Sequence, residues 1–202
     1  MVDLKIKIDK RAVDQLMSRL TPKAANSVLR MGLKKAVQIA RRESIKAMMK
    51  EYRLKKKNLA VLARVKGPDN LGTKATLTIK PEPIGLEKFK PRQTKTGLSV
   101  KVTRGGGTER IPHAFLQKVK GGKTQAFVRT RVIPAVAKKY VYRPAKKSPF
   151  RSKRGGELPI NRLLADPASE VVRPQAEEIG NKAGQEASVA IMVRIERLLD
   201  LG

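Results

Sequence analysis

The sequence predicts an α+β fold, with long N-terminal helices and a C-terminal helix packed on a mostly antiparallel β-sheet and one basic extended arm. Three observations carry that prediction. Apolar residues recur at helical spacing from Thr21 to about Lys50, β-rich segments bracket the pair Gly121-Gly122, and a second helical pattern closes the chain after Arg173-Pro174. The 202 residues suit a single domain over 1–202, and the 52 Leu, Ile, Val and Phe residues are enough to build its core.

Leu4-Lys5-Ile6-Lys7-Ile8 alternates apolar and charged residues, the pattern of a half-buried strand. Ala12, Val13, Leu16, Met17 and Leu20 then follow at helical spacing. Thr21-Pro22 reads as the N-cap and first position of a long helix, with Ala25, Val28, Leu29, Leu33, Val37, Ala40 and Met48 near one face. Within it Gly32, Ala36, Ala40 and Ser44 recur every four residues. Such a ladder either admits another backbone closely or is ordinary helix composition. Asn58 is a candidate cap for a short helix from Leu59 to Ala63.

Strands are expected at Ala75–Lys80, Leu98–Val102, Ala114–Val119 and Ala126–Arg131, the last two joined as a hairpin because glycines at 121 and 122 accept the positive φ of a tight turn. Irregular connections are marked by Pro81, Pro83, Gly85, Pro91 and Gly97, and by Gly105-Gly106-Gly107. Asp166-Pro167 caps a short turn and Arg173-Pro174 restarts a helix. Glu177 and Glu178 suit its N-terminal dipole, and Ile179, Ala183, Ala187, Ala190, Val193 and Leu198 are expected along its inner face.

Charge is the dominant compositional fact. Lys plus Arg number 46 against 17 Asp plus Glu, a net +29, distributed as +12 over residues 1–60, +7 over 61–110, +12 over 111–160 and −2 over 161–202. That excess repels itself unless counterions, a polyanion or acidic partner surfaces offset it. With seven aromatics and no Trp, stacking of single-stranded bases is disfavoured, so nucleic-acid contact is expected to be directed at phosphates and indifferent to sequence. Two clusters are the candidate contacts to DNA phosphate or to a partner ring. The first is Arg53, Lys55, Lys56 and Lys57; the second, in residues 138–156, is Lys138, Lys139, Arg143, Lys146, Lys147, Arg151, Lys153 and Arg154 with no acid among them. The composition of 138–156 is that of an extended loop or arm, and Tyr140, Tyr142 and Phe150 are its candidate anchors.

Catalytic chemistry finds no foothold. Gly121-Gly122-Lys123-Thr124 ends like a phosphate-binding loop, but Gln117 stands where the first glycine belongs and a strand follows where a helix is needed. His113 is the one imidazole, without Cys or a second His, and is read as structural; no serine sits in a nucleophile elbow. No catalytic residue, metal site or cofactor is therefore expected. No apolar run reaches membrane-spanning length, the first residues lack a signal-peptide layout, and the absence of Cys suits a reducing compartment.

The order of elements, with Ile111-Pro112-His113-Ala114-Phe115 after a Gly-rich loop, the return through Phe127-Val128-Arg129, and Leu158-Pro159-Ile160-Asn161-Arg162-Leu163 before Asp166-Pro167-Ala168-Ser169, resembles the minor tail protein Z family and the wider tail-completion (neck) proteins of long-tailed bacteriophages. The resemblance spans nearly the whole chain; the 138–156 arm is more elaborate than the family pattern. It implies a non-catalytic virion protein, made in the host cytoplasm, that forms a homo-oligomer, a six-fold ring at the head-proximal end of the tail. Its implied neighbours are tail-terminator, tail-tube or connector proteins and double-stranded DNA in the channel, with no membrane. The competing reading is a sequence-nonspecific nucleic-acid-binding scaffold of ribosomal or nucleoid type, for which basic arms and few aromatics are also expected.

Overall fold

The computed structural model describes residues 2–4, 19–68, 74–119, 121–129, 133–141 and 160–200. In chain order the first elements are β1 (Val2–Asp3), α1 (Pro22–Glu51), α2 (Lys56–Ala60), β2 (Ala63–Lys66) and β3 (Thr76–Ile79). Then come β4 (Ile84–Gly85), a 3-10 turn (Leu86–Phe89), β5 (Arg92–Gln93), β6 (Gly97–Val100), β7 (Glu109–Pro112), β8 (Ala114–Lys118) and β9 (Thr124–Arg129). The chain closes with α3 (Ala135–Lys138), β10 (Ile160–Arg162), β11 (Leu164–Ala165), α4 (Ala168–Val172), a 3-10 turn (Arg173–Gln175) and α5 (Ala176–Leu199). Every strand pairing is antiparallel, so the fold is α+β as the sequence predicts. The described chain divides into two compact units, the first Met1–Met49, Lys55–Pro81 and Ala168–Gly202, the second Lys50–Leu54 and Glu82–Pro167.

In the first unit α1 begins where Thr21-Pro22 places it: the Ala25 N–H donates to Thr21 O at 2.9 Å, and proline at the first helical position needs no partner for a missing N–H. The small-residue ladder is an approach surface. Gly32, Ala36, Ala40 and Ser44 are all buried, and a Cβ on Gly32 would overlap Cγ1 and Cδ1 of Ile191 on α5. α5 answers with its own buried small residues, Gly180, Gly184 and Ser188. The hydroxyls of Ser44 and Ser188 donate to the carbonyls one turn back, Ala40 O at 2.8 Å and Gly184 O at 3.0 Å, so neither is left unsatisfied inside the contact. Val28 packs with Ile191 and Ile195 at one end while Glu43 meets Lys182 at the other, so the two helices run antiparallel.

Two expectations for this unit are corrected. Asn58 is not a cap: α2 starts at Lys56 with extended Lys55 before it, the Asn58 N–H donates to Lys55 O, and Ala63 already belongs to β2. The buried stripe of α5 is Ile179, Ala183, Ala187, Ile191 and Ile195, whereas Val193 is 42% exposed and Ala190 only half-buried. Steps of four residues keep both isoleucines on the inner face, and Val193 sits two residues off that row, on the far side of the helix. The strand observed near the N-terminus is Val2–Asp3, paired with Ile79 and Thr78 of β3, ahead of the predicted Leu4–Ile8. Leu4 is not in a strand, and residues 5–18, which hold the rest of that prediction and most of the first predicted helix, lie outside the described residues. The sheet order is β1-β3-β2, which leaves β2 at an edge.

Glu43 closes the α1–α5 seam. Its carboxylate, with a side chain 13% exposed, accepts from Lys46 Nζ at 2.9 Å, Lys182 Nζ at 3.3 Å and Arg42 Nε at 3.2 Å. The Lys46 bond is the strongest influence, opposed by partial burial and reinforced by Lys182 and Arg42, and together they lower the Glu43 pKa from 4.5 to about 2. A carboxyl depressed on folding adds stability that is complete above its unfolded value and is lost as pH falls through the folded one. Thermal melts from pH 7 to pH 2 are therefore expected to show a loss between about 4.5 and 2 that Glu43→Gln abolishes, the variant being about 1–2 kcal/mol less stable at pH 7. An unchanged low-pH limb in Glu43→Gln contradicts this assignment.

The second unit holds three antiparallel sheets, β5-β6-β7, β10-β9-β8 and β11-β4. Phe127, Ile84, Leu86, Leu98, Ile111 and Leu163 are its fully buried large side chains. The expected hairpin forms: β8 and β9 pair from Ala114↔Val128 to Lys118↔Thr124, with Gly121 at φ +97° and Gly122 at φ +75° between them. Gly97 is required for packing, since a Cβ there would overlap the Ile111 carbonyl across the β6–β7 pair. The Arg162 guanidinium of the Pro-Ile-x-Arg-Leu stretch meets Glu87 at 2.5 Å, tying β10 to the 3-10 turn after β4. β4, β5, β7, β10 and β11 are strands the sequence did not announce: each has two to four residues, too few to show a period.

Candidate nucleic-acid interface

The first basic cluster sits where α1 has ended and the chain turns toward an edge strand. Leu54 and Leu59 are buried and fix the backbone, while Lys55, Lys56 and Lys57 between them are exposed. α2 leads directly into β2, where Ala63 is buried and Arg64, Val65 and Lys66 are exposed. Arg64 and Lys66 lie opposite Thr78 and Thr76 of β3, and residues two apart on a strand share a face. Lys55, Lys56, Lys57, Arg64 and Lys66 are thus five exposed cations on consecutive elements of the first unit, and none of them enters an ion pair among the described residues. Sequence reasoning missed Arg64 and Lys66. The available signal was Arg64-Val65-Lys66 directly after the short helix, a charged–apolar–charged alternation too brief to stand alone. Arg53 is exposed as well, but it belongs to the second unit, where its N–H donates to Val102 O at 2.9 Å.

Only the root of the second cluster is described. Lys138 ends α3 and is exposed. Lys139 is engaged within its own chain, its Nζ 2.6 Å from Glu109 Oε1 on β7. Tyr140 is buried and its hydroxyl donates to Glu109 Oε2 at 2.9 Å; burial first, then the Glu109 carboxylate, holds the phenol well above its ordinary pKa. The backbone continues the attachment, with the Leu164 N–H donating to Tyr140 O at 2.7 Å and Val141 bridging Leu163. Tyr140 therefore anchors residues 138–141 to β7 and β11 of the same subunit. Arg143, Lys146, Lys147, Arg151, Lys153 and Arg154, with Tyr142 and Phe150, lie outside the described residues.

The remaining motifs resolve into structure. In Gly121-Gly122-Lys123-Thr124 the Gly122 N–H donates to Val119 O and the Val119 N–H to Lys123 O, both at 3.0 Å, so the segment is a hairpin turn and no helix follows it. In the Gly105–Gly107 loop the Gly106 N–H donates to Thr103 Oγ1 at 3.1 Å. His113 has an exposed side chain, and its backbone N–H donates to Thr96 O at 2.9 Å. Among the described residues no group of three or more His, Cys, Asp or Glu could hold a metal ion, and no helix is long and apolar enough to cross a membrane. Glu43, Glu87 and Glu109, three carboxylates shielded from solvent in part, all face cations of their own chain. What the described surface offers chemically is therefore anion attraction: exposed cations at the start of α2 and on β2 that enter no ion pair among the described residues. No family model matches the chain, nor does any curated protein or solved structure.

Proposed function

We propose that this protein is a non-catalytic structural component of a phage virion, a tail-completion protein that assembles as a ring at the head-proximal end of the tail around double-stranded DNA. The observation that carries the reading is the unpaired cation group Lys55, Lys56, Lys57, Arg64 and Lys66 on a chain of net +29. Ion pairs within the chain engage Arg42, Lys46, Lys139, Arg162 and Lys182, whereas these five exposed cations enter none among the described residues. A ring of six would gather about +174 around one axis, a charge that calls for phosphates or acidic neighbouring rings. The order of elements and the Ile111–Phe115 and Leu158–Leu163 stretches, which resemble the tail-completion proteins, support the same assignment.

Two measurements on the full chain test it. Electron microscopy of the purified protein, alone and with the tail fraction of the producing phage, is expected to show closed rings, and a labelled copy is expected at the capsid–tail junction. Reversing charge at Lys146, Lys147, Arg151 and Lys153 is expected to block joining or DNA retention while the subunit still folds. A monomer that co-sediments with ribosomes or nucleoid in a nuclease-sensitive manner overturns the tail reading in favour of a cellular scaffold, and normal infectious particles from the charge-reversed variant overturn the role of the arm.

A further inference from the structure

His113 alone joins β7 to β8, two strands that belong to different sheets of the second unit. It makes that corner at φ +60°, a left-handed conformation that costs a side-chain-bearing residue about 1 kcal/mol or more. The Thr96 carbonyl holds its N–H, and the close approach of Gly97 to Ile111 fixes the neighbouring strand pair, so the corner is imposed from both sides. At this corner lies a cavity of about 500 Å³ lined by Gln93, Lys95, Thr96, His113, Phe115 and Arg129, among others. Gln93 Oε1 accepts from the Leu116 N–H at 2.9 Å, which ties β5 to β8 beside it.

The lining contains two permanent cations and an imidazole, and no carboxylate. Neither Lys95 nor Arg129 forms an ion pair among the described residues. We propose that this cavity is a binding site for a phosphomonoester. The Arg129 guanidinium grips two phosphate oxygens and Lys95 meets the third, while the Thr96 hydroxyl and a ring N–H of His113 complete the donor set. Two cations match the charge of a monoester, about −1.5 to −2 near neutrality, better than the single charge of a carboxylate. The half-buried ring of Phe115 provides an apolar wall for whatever the phosphate is attached to. The site is built wholly within the second unit and does not depend on the ring reading.

The chain has one His, so the ¹H–¹⁵N imidazole signal of the full-length protein reports on this cavity without assignment. Titration at physiological salt with adenosine monophosphate is expected to move that signal saturably, adenosine is expected to leave it in place, and inorganic phosphate is expected to compete. Equal affinity for inorganic phosphate and the nucleotide identifies free phosphate as the ligand, and tighter nucleotide binding identifies a nucleotide seated on Phe115. Arg129→Gln and Lys95→Gln are each expected to weaken binding about tenfold, whereas Lys34→Gln with Lys35→Gln, two exposed lysines of α1, leaves it unchanged. An unsaturated drift with phosphate, a shift with adenosine alone, or equal binding by the Arg129→Gln and Lys95→Gln variants overturns the proposal.

Discussion

Gly32→Val is expected to lower the unfolding free energy by about 3 kcal/mol, more than any surface substitution, although valine is the better helix former of the two. The first atom added, Cβ, already overlaps Cγ1 and Cδ1 of Ile191, which is fully buried. The helices would have to separate along a seam that also holds Ala36, Ala40, Ala187 and Ser188. Gly32→Ala places the same Cβ in the same overlap but recovers about 1 kcal/mol of helix propensity, so its net cost is expected near 1 kcal/mol. Ile191→Ala alone opens a cavity and costs about 2–5 kcal/mol. In the double variant the valine fills part of that cavity, so urea melts of the four proteins are expected to give a coupling of about 2 kcal/mol. Additivity within about 0.5 kcal/mol contradicts direct contact between positions 32 and 191.

The elements that were legible in the sequence are those whose signal is local and repeated. Thr21-Pro22 marks the start of a 30-residue helix because capping and proline geometry act within one turn, and Gly121-Gly122 marks the hairpin because positive φ there needs glycine. The ladder from Gly32 to Ser44 was legible as a surface but not as a contact with α5, since its partner lies about 150 residues away. The buried face of α5 was misjudged because alanines tolerate either side, and it is Ile191 and Ile195, every fourth residue, that decide which side faces α1. The short strands of the second unit exist through tertiary pairing alone.

The candidate site was legible as charge and not as geometry. Counting cations finds Lys55–Lys57 but cannot separate them from Lys139 and Lys182, because the carboxylates that pair with those two, Glu109 and Glu43, are distant in sequence; only the Lys46–Glu43 pair, three residues apart on one helix, is local. The attachment of Tyr140 within its own chain was not legible: its partner, Glu109, is 31 residues upstream and emerges only when β7 is laid beside α3.

That distinction between engaged and free cations sets the largest effect expected in binding. Neutralising Lys55, Lys56, Lys57, Arg64 and Lys66 to Gln is expected to flatten the slope of log K against log salt for a 30-base-pair duplex by about 4.5, because each phosphate contact contributes about 0.9. Affinity at physiological salt is expected to fall about a hundredfold or more, equally for any duplex sequence, since phosphates position a protein without reading bases. Removing Lys46 and Lys182 instead withdraws two cations that share the Glu43 carboxylate, so the slope is expected to change by about 1 while the melting temperature drops. Net charge alone would instead scale the slope with the number of charges removed, about 4.5 for the five against about 2 for the two. A slope that tracks the number of charges removed regardless of position assigns binding to the overall field of the +29 chain and removes the α2–β2 group from the interface.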